Sequence, residues 1–330
     1  MRLAPCLLVA TCALVLACTR STTKAAPKKA RDSITIGITQ EPDTLWMPMK
    51  QMNASEHIGR PGGVQLTVID DEHKLRAWAA REIPTVRNGG VALLPDGGMR
   101  VTWHLRDDMK WADGVPVTAD DFVFTYEMSK DPNLEIVDRT VIDRIRSMKA
   151  VDAHTFVVEY QEPYAYYAQL RVHEVLPKHI VEPIWRAKGR ALKEDPFGTK
   201  PVLGGAFTIS EWIPGTSITA TRNPYATGFW KPKLERITWR LIPDTTTLEA
   251  NLLSGSIDAI SVIGLTFDQA LDLQKRLPPQ FEMRFTDAFN FEHLELNTEN
   301  PILHDVRVRE ALLVALDREQ LVQQLFEGKQ

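Results

Sequence analysis

Cysteine is scarce in this chain of 330 residues. Cys6, Cys12 and Cys18 are the only three, and all fall within the first eighteen positions. Beyond them, disulfide staples, thiolate nucleophiles and cysteine metal sites are excluded. Stability must come from an apolar core, which a chain of this length can bury. A membrane-spanning run is missing too: the apolar stretch at residues 3–17 falls short of the roughly 20 residues that a spanning helix needs. Neither sign of charge dominates. The net charge is −4 with 25% charged residues, which favours neither nucleic acid nor a basic coat on a membrane. The motifs G-x-S-x-G, H-E-x-x-H, G-x-x-x-x-G-K and G-x-G-x-x-G are absent. The eight histidines are scattered, none beside a second at helical metal-binding spacing. Asp107-Asp108 and Asp120-Asp121 are immediate neighbours, and adjacent residues do not face each other across a helix, so no acid–base pair is expected. No enzyme activity, metal or cofactor is expected, and no nucleic-acid partner.

What is present begins at the amino terminus. Arg2 supplies a positive start, residues 3–17 an apolar core, and Leu14-Val15-Leu16-Ala17-Cys18 reads as a lipobox. On this reading residues 1–17 are a lipoprotein signal peptide and Cys18 carries the lipid; the alternative is an ordinary signal peptide cut near Ala17. One acyl chain, at about 0.8 kcal/mol per buried methylene, anchors only marginally, so stable attachment takes two or three. Residues 18–32 then read as a flexible tether, with Arg20, Lys24, Lys28, Lys29 and Arg31 among Ser, Thr, Ala and Pro and no acid before Asp32. These cations would also be drawn to anionic head groups.

The folded part opens with alternation of Ile34, Ile36 and Ile38, a strand pattern, stopped by Glu41-Pro42-Asp43-Thr44-Leu45. The most informative stretch is residues 101–128, VTWHLRDDMKWADGVPVTADDFVFTYEM. Val101, Trp103 and Leu105 alternate with polar residues, Asp113-Gly114 marks a turn, and Thr118 caps a helix with Asp120 and Asp121 in its first turn. Phe122, Val123 and Tyr126 form that helix's apolar face. Elsewhere the patterning predicts strands at residues 64–68, 155–160, 207–212, 217–222, 237–241 and 290–297. It predicts a short helix at residues 76–81 and another at 244–253 with a capping box from Thr246 and Glu249 and a stop at Gly255. Helices also follow Asp305 and Asp317, the second with Gln320 at its third position and Gly328 past its end.

Taken together, "LR…KW.DG.PVT..D..F" in residues 105–124, "EP.TL" at 41–45, "LPKH" at 176–179, Gly255-Ser256-Ile257-Asp258 and "D.RVR.AL..ALDR..LV" at 305–322 resemble the family 5 extracellular solute-binding proteins. Ala206 stands where that family's "GTGPY" turn carries proline. The resemblance implies an α/β, two-lobed periplasmic-binding-protein fold (type II, cluster C-like). Residues 33–257 would form a nearly complete lobe one and residues 258–330 the start of lobe two. Members of that family run longer, so a chain stopping at Gln330 is expected to be an incomplete sequence or a fragment. The implied function is that of a receptor outside the cytoplasmic membrane, a monomer held to the membrane through Cys18, which captures oligopeptides and delivers them to the permease subunits of an ABC importer. A nickel chelate, haem or an oligosaccharide is the alternative cargo on the same fold; an exported hydrolase and a sensor domain are the readings from other classes. By the same resemblance the cleft would be lined by Trp46, Met47 and Met49 after the opening motif, by Ser261 and Val262, and by Phe291 and His293. Trp103 and Trp111 are expected in the core.

Overall fold

Alternation and capping produce a mixed α/β fold in the computed structural model, which describes residues 32–70, 72–169, 175–228, 231–285 and 293–328. The expected leader, Cys18, most of the tether and Phe291 lie outside the described residues.

The chain starts with strand β1 (Ser33–Ile38) and helix α1 (Asn53–Gly59), then a hairpin of β2 (Thr67–Ile69) and β3 (Leu75–Ala77). Next come β4 (Val91–Leu93), β5 (Met99–His104), α2 (Ala119–Ser129), β6 (Ile145–Asp152), β7 (Thr155–Tyr160) and α3 (Lys178–Lys188). The strands β8 (Phe207–Ile213), β9 (Ser217–Arg222) and β10 (Arg236–Leu241) lead to α4 (Thr245–Ser254), β11 (Ala259–Ile260) and α5 (Phe267–Arg276). Three further helices close the described chain: α6 (Pro301–His304), α7 (Val306–Ala315) and α8 (Arg318–Phe326).

Two sheets organise these elements. One has the order β4-β5-β7-β6 and is antiparallel throughout. Phe156, Val158 and Tyr160 on β7 and Val101 and Trp103 on β5 are fully buried. They face α2, whose Phe122 stacks on Phe156 with ring centroids 5.0 Å apart. The other sheet has the order β11-β1-β10-β9-β8. In it β1 lies parallel to both β10 and β11, while β9 is antiparallel to β10 and β8. A separate apolar cluster of Ile242, Leu248, Leu252, Ile257 and Leu273 joins α4 to α5.

The block at residues 101–128 folds as its pattern predicts, with one addition. Asp121 is not a surface charge at a helix start; it is 3% exposed. Its Oδ2 accepts the Thr118 amide at 2.8 Å and Trp111 Nε1 at 3.4 Å, and its Oδ1 accepts the Lys178 amide at 2.8 Å. Burial raises its carboxyl above the ordinary aspartate value against the pull of these bonds. His179 Nε2 also lies 2.7 Å from Asp113 Oδ2. Two sequence motifs about sixty residues apart are thereby clipped together at the starts of α2 and α3.

Four expectations need correction. Residues 76–81 are not a helix: Leu75–Ala77 pairs with Thr67–Ile69 as a hairpin, and Ala80 bridges to Leu105. The strand expected at 64–68 is shifted to Thr67–Ile69, with Val64 in an isolated bridge to Val175. Asp244, not Thr246, caps α4 by accepting the Thr247 amide at 2.7 Å, and Glu249 turns away to pair with Arg276 of α5. The strand expected at 290–297 is absent from its described part, residues 293–297. Asp305 and Asp317 cap α7 and α8 as their positions predict, and Gly255 ends α4 with φ of 75°.

Candidate ligand-binding cavity

The Glu41–Leu45 motif makes a rigid, self-bonded loop after β1. The Glu41 carboxylate accepts Trp212 Nε1 at 2.8 Å and the Gly215 amide at 3.0 Å, which fixes the loop to the β8–β9 turn. Asp43 accepts the Gln51 amide at 2.9 Å and the Ser55 hydroxyl at 2.6 Å. Burial pushes the Asp43 carboxyl up, but these hydrogen bonds outweigh it and hold it below the ordinary value. Thr44 Oγ1 accepts the Trp46 amide at 3.0 Å. The Trp46 ring is fully buried against Phe197, with centroids 4.7 Å apart.

This loop presents a short turn, Met47–Met49, at the mouth of a cavity of about 680 Å³, inside the size range of small-molecule and peptide sites. Met47, Pro48 and Lys50 form one wall, continued by Glu56, His57 and Arg60 of α1 and its end. Leu66, Ile69, Leu75 and Trp78 from the β2–β3 region face them. Phe122 of α2, Met148 of β6 and the Val137-Asp138 pair contribute further lining. Pro61, Ala206 and Phe207 also line it. Gly205 is required there. Its amide donates to Gly62 O at 2.8 Å, and a Cβ on it would sit 2.7 Å from the Gly62 carbonyl carbon and oxygen, a contact that backbone cannot relieve.

Most of the lining residues are apolar, and Lys50, Glu56, His57, Arg60 and Asp138 add charged or titratable groups. Lys50 Nζ lies 3.8 Å from Glu56 Oε2, and Arg60 pairs with the other oxygen of the same carboxylate. His57 sits among them. Burial holds its imidazole below the ordinary histidine value, and the Arg60 and Lys50 cations push the same way against Glu56. Among the described residues no group of three or more His, Cys, Asp or Glu side chains is placed to hold a metal ion.

Of the residues expected at the cleft, Met47 lines this cavity and is 3% exposed. Trp46 and Met49 pack in the core cluster beside it. Ser261 is half-buried at the end of β11, its amide donating to Gly37 O at 2.9 Å, and Val262 is 77% exposed. His293 is exposed, its Nε2 3.2 Å from Glu295. None of these three lines the cavity. Lys50, His57, Arg60, Trp78 and Phe122 do, without having been anticipated. The pattern Glu56-x-x-x-Arg60, an i,i+4 ion pair, was the signal for α1 that the sequence carried.

Residues 94–330 match the family model of the bacterial extracellular solute-binding proteins, family 5, middle region. The chain belongs to this family. It is 30% identical over 244 residues to the periplasmic oligopeptide-binding protein OppA of Escherichia coli K12, covering 67% of this chain and 42% of that protein. Protein XP55 of Streptomyces lividans is 27% identical over 313 residues, 91% of this chain and 51% of that one. An oligopeptide-binding protein from Thermus thermophilus, solved in complex with a pentapeptide, superposes with a TM-score of 0.72 at 26% identity. That match takes in 90% of this chain and 57% of the solved one. The fold of this family 5 chain is that of the type II periplasmic binding proteins, and the chain spans about half the length of the relatives it matches. Among the described residues no helix is long and apolar enough to cross a membrane.

Proposed function

We propose that this family 5 protein is the substrate-binding receptor of an ABC importer, taking up oligopeptides outside the cytoplasmic membrane and passing them to the permease. The observation that carries the reading is the cavity of about 680 Å³ beside the Glu41–Leu45 loop, in a chain whose relatives are named as oligopeptide-binding proteins. Its wide apolar walls suit varied side chains, and Met47 adds an adaptable surface. A micromolar affinity corresponds to roughly −8 kcal/mol, within reach of a few hydrogen bonds and apolar burial. Binding, not turnover, is the activity on this reading, and closure around the ligand is driven by its preference for the closed state. Trp46, Met49, Ser261, Val262, Phe291 and His293 belong to this proposal as further cleft residues. Export, attachment to the membrane through Cys18 and a monomeric state complete it.

The test is native mass spectrometry of the protein purified from its own cells and then offered a mixed oligopeptide library. A retained peptide released on heating is the expected result. Retention of a nickel–histidine complex instead, the cargo in the solved structure of NikZ from Campylobacter jejuni, would overturn the peptide assignment. Lipid labelling that persists in Cys18→Ser would overturn the anchor.

A further inference from the structure

The loop before β4 holds the chain's one Asn-Gly pair, Asn88-Gly89, which carries a chemistry of its own. The amide nitrogen after an asparagine can attack the side-chain carbonyl carbon, and a glycine there, lacking Cβ, leaves the approach open. Both residues are exposed, and a Cβ on Gly89, whose φ is 76°, would meet nothing within 4 Å. With Glu82, Thr102 and His104 they border a polar hollow of about 120 Å³, room enough for water. In the folded loop the Asn88 amide is fully engaged. Its Oδ1 accepts the Thr85 amide at 2.7 Å and the Gly90 amide at 3.1 Å. Its Nδ2 donates to Glu82 Oε2 and to Ile83 O, both at 3.1 Å, which uses both hydrogens. The would-be attacking nitrogen is occupied too, since the Gly89 amide donates to Val86 O at 3.3 Å.

We infer that Asn88 is a deamidation site guarded by Glu82, held back in the folded loop and released when the loop opens. In the step, Gly89 N gives its proton to solvent base and bonds to Asn88 Cγ. The Cγ–Nδ2 bond breaks, and Nδ2 takes up a proton and leaves as ammonia. Water then opens the cyclic imide at either carbonyl, giving aspartate or isoaspartate, with no change of oxidation state. Leaving requires Nδ2 to give up the two bonds it donates, one of them to a carboxylate and so the stronger kind. The product is out of place. An acid at residue 88 sets a carboxylate against Glu82 and the Ile83 carbonyl, where an amide had donated. The loop's links into the sheet, the Val91 amide on Thr85 O at 3.1 Å and the Thr102 amide on Gly90 O at 2.8 Å, lose their anchor. Asn88 is not among the residues lining the large cavity, so the site goes beyond the receptor reading and does not depend on it.

The experiment incubates the full chain in mildly alkaline buffer, folded or unfolded in guanidinium chloride, and follows residue 88 by mass mapping of peptic peptides. Conversion is expected in the unfolded chain and about tenfold slower conversion in the folded one. Glu82→Ala, at an exposed position, should recover most of the unfolded rate while folded, and Glu82→Gln, which keeps an acceptor, should stay near the native rate. Asn88→Asp should unfold at lower urea than the native chain, with part of the loss restored by adding Glu82→Gln. No conversion at Asn88 in the unfolded chain would overturn the site. A folded rate equal to the unfolded one, or one that Glu82→Ala leaves unchanged, would overturn the guard. An Asn88→Asp chain as stable as the native one would overturn the damage assigned to the product.

Discussion

Asp121→Asn exchanges one acceptor oxygen for an NH2 donor and removes the buried charge. The native carboxylate serves four donors: the Thr118 amide, the Thr118 hydroxyl and Trp111 Nε1 on one oxygen, and the Lys178 amide on the other. An asparagine offers a single oxygen. Turned towards Thr118, it leaves the Lys178 amide facing an NH2 group; turned the other way, it abandons the start of α2. A buried donor without a partner costs about 1–3 kcal/mol. The burial that raises the Asp121 carboxyl is relieved by the change and returns part of this, so the expected net loss is about 1–2 kcal/mol. Asp121→Ala loses every bond and the cap together, about 3–5 kcal/mol. Urea unfolding followed by tryptophan fluorescence reads both. The pH dependence adds a sign. A raised folded-state value means that the folded protein holds the proton more tightly. The native chain therefore gains on the asparagine variant as pH falls through this raised value towards the ordinary aspartate value of about 3.8, and the penalty of the variant grows. An asparagine variant as stable as the native chain at neutral pH would refute the reasoning, since the cost of burying the charge would then exceed the value of the clip.

Three other outcomes are expected. Gly205→Ala forces a Cβ against the Gly62 backbone and should cost about 2–4 kcal/mol in urea unfolding. Leu248→Ala empties a fully buried site between β1 and α4, for a loss of about 2–5 kcal/mol by the same measurement. Asp43, whose carboxyl is held below its ordinary value, contributes stability above pH of about 3.8 that disappears as pH falls through its folded-state value. The stability gap to Asp43→Asn, measured by acid titration of circular dichroism, should therefore narrow below about pH 4.

Local signals told most of the fold. Phe156, Val158 and Tyr160 alternate in the sequence and are all buried in β7. Asp305 and Asp317 cap the helices that their positions suggest. The failures occurred where a distant partner decided the outcome. Residues 75–77 became a strand through pairing with Thr67–Ile69, and Glu249 abandoned its expected box for Arg276, 27 residues away. The cavity was barely legible for the same reason. Met47 follows a recognisable motif, but Lys50, His57, Trp78 and Phe122 come from separate elements whose meeting leaves no periodic trace in the chain. The buried role of Asp121 was hidden because an acid at a helix start reads as a surface group until the Lys178 amide is brought against it.

Strand β1 is made first but seated late. Both of its neighbours in the sheet, β10 and β11, lie far down the chain, and the Thr35 amide finds Asp258 across 223 residues. Closing so long a loop is entropically costly and slow relative to local pairing. A nascent chain would therefore hold strand β1 open on that side until Ala259 and Ile260 arrive. The parallel pairing that gives the sheet its order thus delays completion of strand β1 until those distant residues have been made.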